Sequence, residues 1–326
     1  MAQLDIIITH WKEKWAEGRK QFEMLRMQRG APEDEWNVIL VQDGADEENT
    51  LKTHLKEYPF IRDIIQIPAS GVSAARNAGL DASNAEWVMF CDFDDCLYSI
   101  DSLHRILESI REAGDRADLL WSDIWIEMRA ADGRFLKVKK GWNSVFNHGK
   151  VYRRQLLTEH GIRFDEELDY SEDALFNATV SMTVETGRSA RMPETVYMWC
   201  YRDGSLSNYA GGDPKRNLCA YKARLQISEE YAKHGSEYNA RTAALRWMLN
   251  YYWEINGARP LDGGTREEWV DRVRLLVQRW PGAVIGTTKE DRKKLFQVAM
   301  KEAQQKGLIR KDMMPLTEWI KEIGAL

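Results

Sequence analysis

The chain has 326 residues, 44% of them hydrophobic and 30% charged, with a formal net charge of −5. That length supports one large α/β domain plus a smaller one, and the composition is that of a globular protein rather than a disordered or fibrous one. The longest apolar runs are a few residues, which excludes a membrane-spanning helix, and Asp5 beside a short apolar run with no small-residue cleavage site gives no sign of a secretory signal.

In chain order, "LDIIIT" (4–9) predicts a short buried strand, and residues 11–28 have the apolar spacing of a helix. "WNVILVQDG" (36–44) predicts a second strand ending in a turn, residues 47–57 a helix, and "IRDIIQI" (61–67) a third strand. A helix over 72–83, a strand over 86–90, a helix over 99–114 and a strand beginning within 117–128 continue the alternation. Such βαβα order predicts a mainly parallel sheet with helices on both faces, which binds ligands beyond the carboxyl ends of its strands. Thr9, Asp43 and the Asp92–Asp95 cluster all fall at such ends. Beyond residue 130 come a hairpin turn and strand at "AADGRFLKV", helices near 150–160 and 172–183, and a strand over 194–202. "YAGGDPKRN" (209–217) has the glycines and proline of a hinge, and the chain after about 212 reads as helical, with a capping box at Thr265 and Glu268.

Charge is distributed unevenly. Residues 210–326 hold 21 Lys and Arg against 15 Asp and Glu, net +6; residues 1–209 hold 25 against 36, net −11. A metal-binding front and an anion-facing back would give this asymmetry, as would two ordinary solvated surfaces. Cys91, Cys96, Cys200 and Cys219 form no Cys-x-x-Cys pair, so they are read as reduced thiols of a cytoplasmic protein. Most of the thirteen tryptophans, Trp247, Trp269, Trp280 and Trp319 among them, suit helix cores.

"VMFCDFDDC" (88–96) ends a strand with three carboxylates in four positions. In an extended segment residues i and i+2 share a face, so Asp92 and Asp94 would look into one site with Asp95 turned aside. Two carboxylates that close repel unless a cation relieves them, and magnesium or manganese together with a diphosphate suits the task. A helix cap at Asp95 or Ser99 is the plainer alternative, but it accounts for one carboxylate rather than three. Gly71 opens a turn into a helix bearing Arg76, a residue type that grips phosphate bidentately or simply sits on a solvated face. In "LDYSEDALF" (168–176), Glu172 and Asp173 offer a general base, or acids in a first helical turn capped by Ser171.

Taken together, "DIIIT", "VILVQDGADEE", "GVSAARNAGLDASNAEWVMFCDFDD", "HGKVYRRQLLTEHGIRFDEEL", "SEDALF" and "YRDGSLS" resemble family 2 glycosyltransferases of the GT-A fold, over residues 4 to about 208. The resemblance implies a Rossmann-like, mainly parallel sheet flanked by helices over residues 1–208. This would be a nucleotide-sugar-binding catalytic domain, with a helical C-terminal domain at 209–326 for acceptor binding, packing or oligomerisation. It implies inverting transfer from a nucleotide-diphosphate sugar, a UDP-sugar by the family's habit, with Mn2+ or Mg2+ as cofactor. Residue by residue, it implies that Thr9 and Asp43 line the nucleobase pocket and Arg76 meets the diphosphate or holds the nucleotide pocket. Asp92 would lie on the ribose or metal side, and Asp94 would ligate the metal. Asp173 would be the catalytic base with Glu172 in support, while Arg202 and Ser205 would belong to a loop closing over the donor. His148 is a candidate third metal ligand, or a hydrogen-bonded surface residue. Gln42 stands where the family usually has an acid, and Thr9-His10-Trp11 replaces its usual proline-containing turn.

Two other classes stay open on sequence: a nucleotide-sugar-binding module without turnover, and a nucleotidyltransferase, although residues 9–18 lack the Gly-rich loop and lysine of the latter. A glycan is the expected acceptor, with a protein or a modified base in nucleic acid as alternatives; the basic tail would suit an anionic acceptor or self-association.

Overall fold

Unbroken apolar runs set the centre of the first unit. In a strand, successive side chains face opposite sides, so a strand apolar at every position must be covered on both. Leu4, Ile6 and Ile8 enter one core with Val38, Leu40, Trp87, Met89 and Cys91, while Ile7 enters the opposite core with Ile39, Val41, Val88 and Phe90. A computed structural model of the protein describes residues 2–45, 51–130, 132–142, 145–203, 214–257, 261–283 and 286–325. The chain divides into two units, Met1–Tyr209 and Ala210–Leu326.

In the first unit the elements run β1 (Leu4–His10), α1 (Trp15–Arg26), β2 (Trp36–Asp43), α2 (Leu51–Leu55), β3 (Ile61–Ile67), α3 (Val72–Ala82), β4 (Trp87–Asp92), β5 (Cys96–Leu97) and α4 (Ser102–Ala113). They continue with β6 (Leu119–Trp121), β7 (Ile124–Arg129), β8 (Phe135–Lys140), β9 (Lys150–Arg153), α5 (Arg154–Glu159), α6 (Glu172–Thr183), β10 (Ser189–Arg191) and β11 (Tyr197–Trp199). Seven strands form one sheet in the order β10-β6-β9-β4-β1-β2-β3, and four form a second in the order β5-β11-β7-β8. In the first sheet only β9 runs against its neighbours, antiparallel to both β4 and β6. This is the α/β architecture that the alternation predicts.

Two contacts fix the sheet's helices. An ideal Cβ on Gly79 of α3 would lie 2.3 Å from Ile7 Cγ2, so the glycine lets the helix lie directly on β1. Asp5, fully buried, accepts from Ser83 Oγ and the amides of Asn84 and Ala85, and pairs with Arg62 at 3.1 Å, tying the start of β1 to the end of α3.

Some elements differ from expectation. The strand expected to begin within 117–128 is two strands in two sheets, because the chain turns at Ser122, whose amide donates to Gly149 O. The helix expected near 150 starts at Arg154, after β9. Of the helix expected over 47–57, Leu51–Leu55 is observed, and residues 46–50 lie outside the described residues. All six residues of β8 are exposed.

The second unit holds α7 (Pro214–Lys233), α8 (Glu237–Asn256), α9 (Arg266–Arg279), α10 (Lys289–Gln305) and α11 (Leu316–Glu322). Its own core packs Trp269, Trp319, Tyr251, Met248 and Leu245, with Trp247 and Trp280 at its margin. The capping box forms: Thr265 Oγ1 accepts from the Glu268 amide, and the Glu268 carboxylate accepts from the Thr265 amide. No described helix is long and apolar enough to cross a membrane. Most of the proposed hinge at 209–217 lies outside the described residues.

Candidate active site

β1, β2 and β4 end together. Thr9 lies in register with Asp92 on one side and Val41 on the other, so Thr9, Asp43 and Asp92 come to one edge. Asp43 is buried, and both its oxygens are taken by backbone donors: Ser70 N at 2.7 Å and Gly71 N at 2.9 Å. Those amides open α3, so the end of β2 positions the helix that carries Arg76. Beside it, Gln42 Nε2 donates to Gly44 O, and its Oε1 is buried without a hydrogen-bond partner.

Past Asp92 the chain turns instead of staying extended: the Asp95 amide donates to Asp92 O at 3.2 Å. A turn brings i and i+3 together, where a strand would bring i and i+2. Asp95 therefore stands with Asp92. One ligand atom each from Asp92, Asp95 and His148 lie within 4.8 Å of one another. Asp94 is outside that group; its Oδ2 accepts from Arg202 Nε at 2.6 Å, and Arg202 also approaches Glu13 at 3.5 Å. The expected sharing of one face by Asp92 and Asp94 is thus replaced by Asp92 with Asp95, and the turn is the reason.

The two carboxylates of the cluster differ in their electrostatics. Asp95 is fully buried, accepting from Tyr197 Oη at 2.6 Å and Cys200 N at 2.8 Å. Burial, then the nearby Asp92 and Asp94 carboxylates, push its carboxyl well above the usual range. Asp92 goes the other way: burial opposes ionisation, but the Arg76 guanidinium and His148 hold its carboxyl below the usual range. His148 Nε2 lies 3.3 Å from Asp92 Oδ2 and 3.6 Å from Asp95 Oδ2. Its ring stacks on Tyr197 and Trp199, and its Nδ1 is buried without a hydrogen-bond partner. This is a fixed, enclosed imidazole rather than a surface residue. Two carboxylates and an imidazole converging in this way fit a divalent cation.

Arg76 joins this cluster to the acids of α6. Its Nη2 donates to Asp92 Oδ1 at 2.9 Å and its Nη1 to Glu172 Oε1 at 2.8 Å, while Nε is buried without a hydrogen-bond partner. Burial alone would weaken the charge, but Asp92, Glu172 and Asp173 together keep the guanidinium firmly protonated. Ser171 precedes α6 with a left-handed backbone, φ 65°, and its side chain makes no capping bond. Burial and the adjacent Glu172 push the Asp173 carboxyl up to about 7, against the pull of Arg76.

Several site residues escaped the sequence reading. Asn177, one helical turn after Asp173, donates to Asp173 O, Val145 O and Asn147 Oδ1 and accepts from Lys150 Nζ and Tyr152 Oη. Burial pushes the Lys150 ammonium down to about 7, opposed by Asp173. Glu13 organises the turn after β1, its Oε2 accepting from the Trp11 amide and its Oε1 facing Arg202 at 3.5 Å; burial pushes its carboxyl up to about 7. A polar residue at i+4 from a candidate base was a signal for Asn177; nothing in the local sequence marks Glu13. Ser205 lies outside the described residues.

The model of the glycosyl transferase family 2 matches residues 5–163. The succinoglycan biosynthesis protein ExoO of Rhizobium meliloti is 29% identical over 190 residues, 52% of this chain and 53% of ExoO. The poly(ribitol-phosphate) beta-N-acetylglucosaminyltransferase TarS of Staphylococcus aureus is 22% identical over 274 residues, 78% of this chain and 46% of TarS. The chain spans about half the length of these two curated relatives. A crystal structure of S. aureus TarS 1–349 in complex with UDP-GlcNAc is similar with a TM-score of 0.63 and 19% identity, covering 96% of this chain and 94% of that one. The mannosyltransferase PcManGT from Pyrobaculum calidifontis, in complex with GDP-Man and Mn2+, has a TM-score of 0.50 and 14% identity over 94% of this chain and 86% of its own. These structural likenesses are likenesses of fold. With the matched region running from β1 through the Asp92–Asp95 turn, His148 and β9, residues 5–163 are identified as a glycosyltransferase family 2 region.

Proposed function

We propose that the protein is an inverting, metal-assisted glycosyltransferase that moves a sugar from a UDP-sugar to a hydroxyl of a glycan. The observation that carries this reading is Arg76, one buried guanidinium bonded both to the carboxylate of a three-ligand cluster and to the acid pair of α6. A cation site and a candidate base are thereby held on one rigid support. The UDP-GlcNAc and UDP complexes of the similar TarS structure support the donor class.

In this reading Asp92, Asp95 and His148 would hold the cation, and two oxygens with one imidazole suit manganese better than magnesium. When bound, the cation supplies Lewis-acid stabilisation of the leaving diphosphate. Thr9 and Asp43 bound the nucleoside side of the crevice, and Arg76, with its unpartnered Nε, faces the diphosphate. Arg202, tied to Asp94 and Glu13, is the cation best placed to exchange those partners for the donor, with Ser205 in the same segment. Asp173 accepts the proton of the acceptor hydroxyl as its oxygen bonds to the anomeric carbon. The bond from that carbon to the diphosphate oxygen breaks in the same step, and the nucleoside diphosphate leaves. A single displacement from the opposite face inverts the anomeric centre. A base with a pKa near the working pH is well matched to this task.

The test is nucleoside diphosphate release from UDP-GlcNAc, UDP-glucose, UDP-galactose and GDP-mannose with manganese, beside Asp173→Asn and His148→Ala. Manganese-dependent release from one donor, lost in both variants, is expected. Absence of both donor binding and manganese binding by calorimetry would overturn the reading.

A further inference from the structure

The sheet separates two sides of the crevice. Thr9, Asp43 and Arg76 belong to β1, β2 and α3, on one side of β4. On the other side, β9 runs antiparallel to β4 and to β6, so β6 and its parallel partner β10 end at the same edge as β4. Trp121 closes β6, Arg191 closes β10, and Lys150 opens β9 there. Asn177 ties Asp173 to this side through Lys150 and Val145 O. On the glycosyltransferase reading the donor takes the β1–β2–α3 side, which leaves the β9–β6–β10 side for the hydroxyl that gives its proton to Asp173.

That side carries an exposed aromatic ring among cations. Trp142 is 43% exposed, with its ring centroid 5.0 Å from that of Trp121 and Lys150 Nζ 4.9 Å away. An indole held by a second indole and an ammonium is a fixed platform for the apolar face of a sugar ring. Around it, Arg191 and Lys139 share one carboxylate, Asp123, at 2.7 and 3.4 Å. Lys140 is exposed, lies over the Phe146 ring at 4.7 Å and makes no ion pair among the described residues. Three cations against one carboxylate leave an excess of positive charge beside the platform, which a neutral sugar would not require.

Resting on the glycosyltransferase reading, we infer that the acceptor is an anionic glycan, with a sugar ring on Trp142 and its negative groups met by Lys139, Lys140 and Arg191. The negative group is a uronate carboxylate or a phosphodiester, and the experiment separates the two. The full chain, saturated with UDP and manganese, is titrated with a galacturonic acid hexamer, a glycerol-phosphate hexamer and, as neutral control, maltohexaose. One of the two anionic oligomers is expected to bind, more weakly as salt rises, and maltohexaose to bind less well. Trp142→Ala should weaken that binding about tenfold, as loss of a buried aromatic anchor does, and Trp142→Phe should restore most of it. Lys139→Gln/Lys140→Gln should weaken it comparably and flatten the salt dependence, with UDP-sugar affinity retained in all variants. Equal binding of maltohexaose, wild-type binding by both sets of variants, or no binding of either anionic oligomer to a protein that binds UDP-sugar would overturn the inference. Failure to bind UDP-sugar at all would instead sink the glycosyltransferase reading, and this inference with it.

Discussion

Replacing Arg76 with Met removes the cation that Asp92 and Glu172 share. Its side chain is 7% exposed, that of Glu172 is 11% and that of Asp92 is 32%. Removing one partner of a buried pair costs about 3–5 kcal/mol, because a charge is left uncompensated. Solvent at Asp92 screens part of this, so we take the lower end, about 3 kcal/mol. In a unit of this size each kcal/mol moves the midpoint about 2–4 °C, so the melting temperature should fall by about 6–12 °C. Lysine keeps the charge but cannot fork between Asp92 and Glu172, so Arg76→Lys should recover less than half of the loss. Manganese should stabilise Arg76→Met more than wild type, since the cation then compensates Asp92 without a competitor. The assay is thermal unfolding of the three proteins with and without manganese. A drop of under 2 °C in Arg76→Met would refute the reasoning: Arg76 would then not be what holds the acids in place, about 1 kcal/mol or less being at stake.

Asp173 gives a pH prediction with a definite sign. Its folded-state value of about 7 stands above the ordinary carboxylate value, so its contribution to stability is full below about pH 4 and is lost as pH rises through 7. Asp173→Asn should therefore be inactive yet gain stability relative to wild type between pH 5 and 8, as followed by urea unfolding, while wild-type turnover should rise through about pH 7 as the base ionises. Loss of an outer-shell partner alone costs metal sites about 10–100-fold in affinity, so His148→Ala should weaken manganese binding by at least that much in calorimetry, and Asp94→Ala by less. Gly79→Ala forces a methyl against Ile7 and Val41 and should cost about 1–3 kcal/mol in urea unfolding, without a change in manganese affinity.

The central strands β1, β2 and β4 were legible because each is apolar on both faces, as "VMFCD" shows: Val88 and Phe90 enter one core, Met89 and Cys91 the other. The residues at the strand ends were legible for the same reason, since a parallel sheet collects its carboxyl ends at one edge. The division of labour among the three aspartates was not. Whether Asp94 or Asp95 stands beside Asp92 depends on a turn, and that turn is held by Tyr197 and Cys200, more than a hundred positions away. His148 was ambiguous because its enclosure comes from Tyr197 and Trp199, on a strand of the other sheet. Asn177 reads as an ordinary helical residue until the 145–152 segment is folded against it.

The open edge of the second sheet bears on how the protein behaves in concentrated solution. No described strand pairs with the outer side of β8, so its amides and carbonyls form a template on which another chain could add a strand. Phe135, Leu136 and Val138 would favour such stacking. Lys137, Lys139 and Lys140 oppose it, because two copies of β8 laid edge to edge would bring six ammonium groups together. That repulsion is screened within about 8 Å at physiological ionic strength. Concentrated salt thus removes the guard while leaving the template, and this chain is best kept from aggregating at low ionic strength.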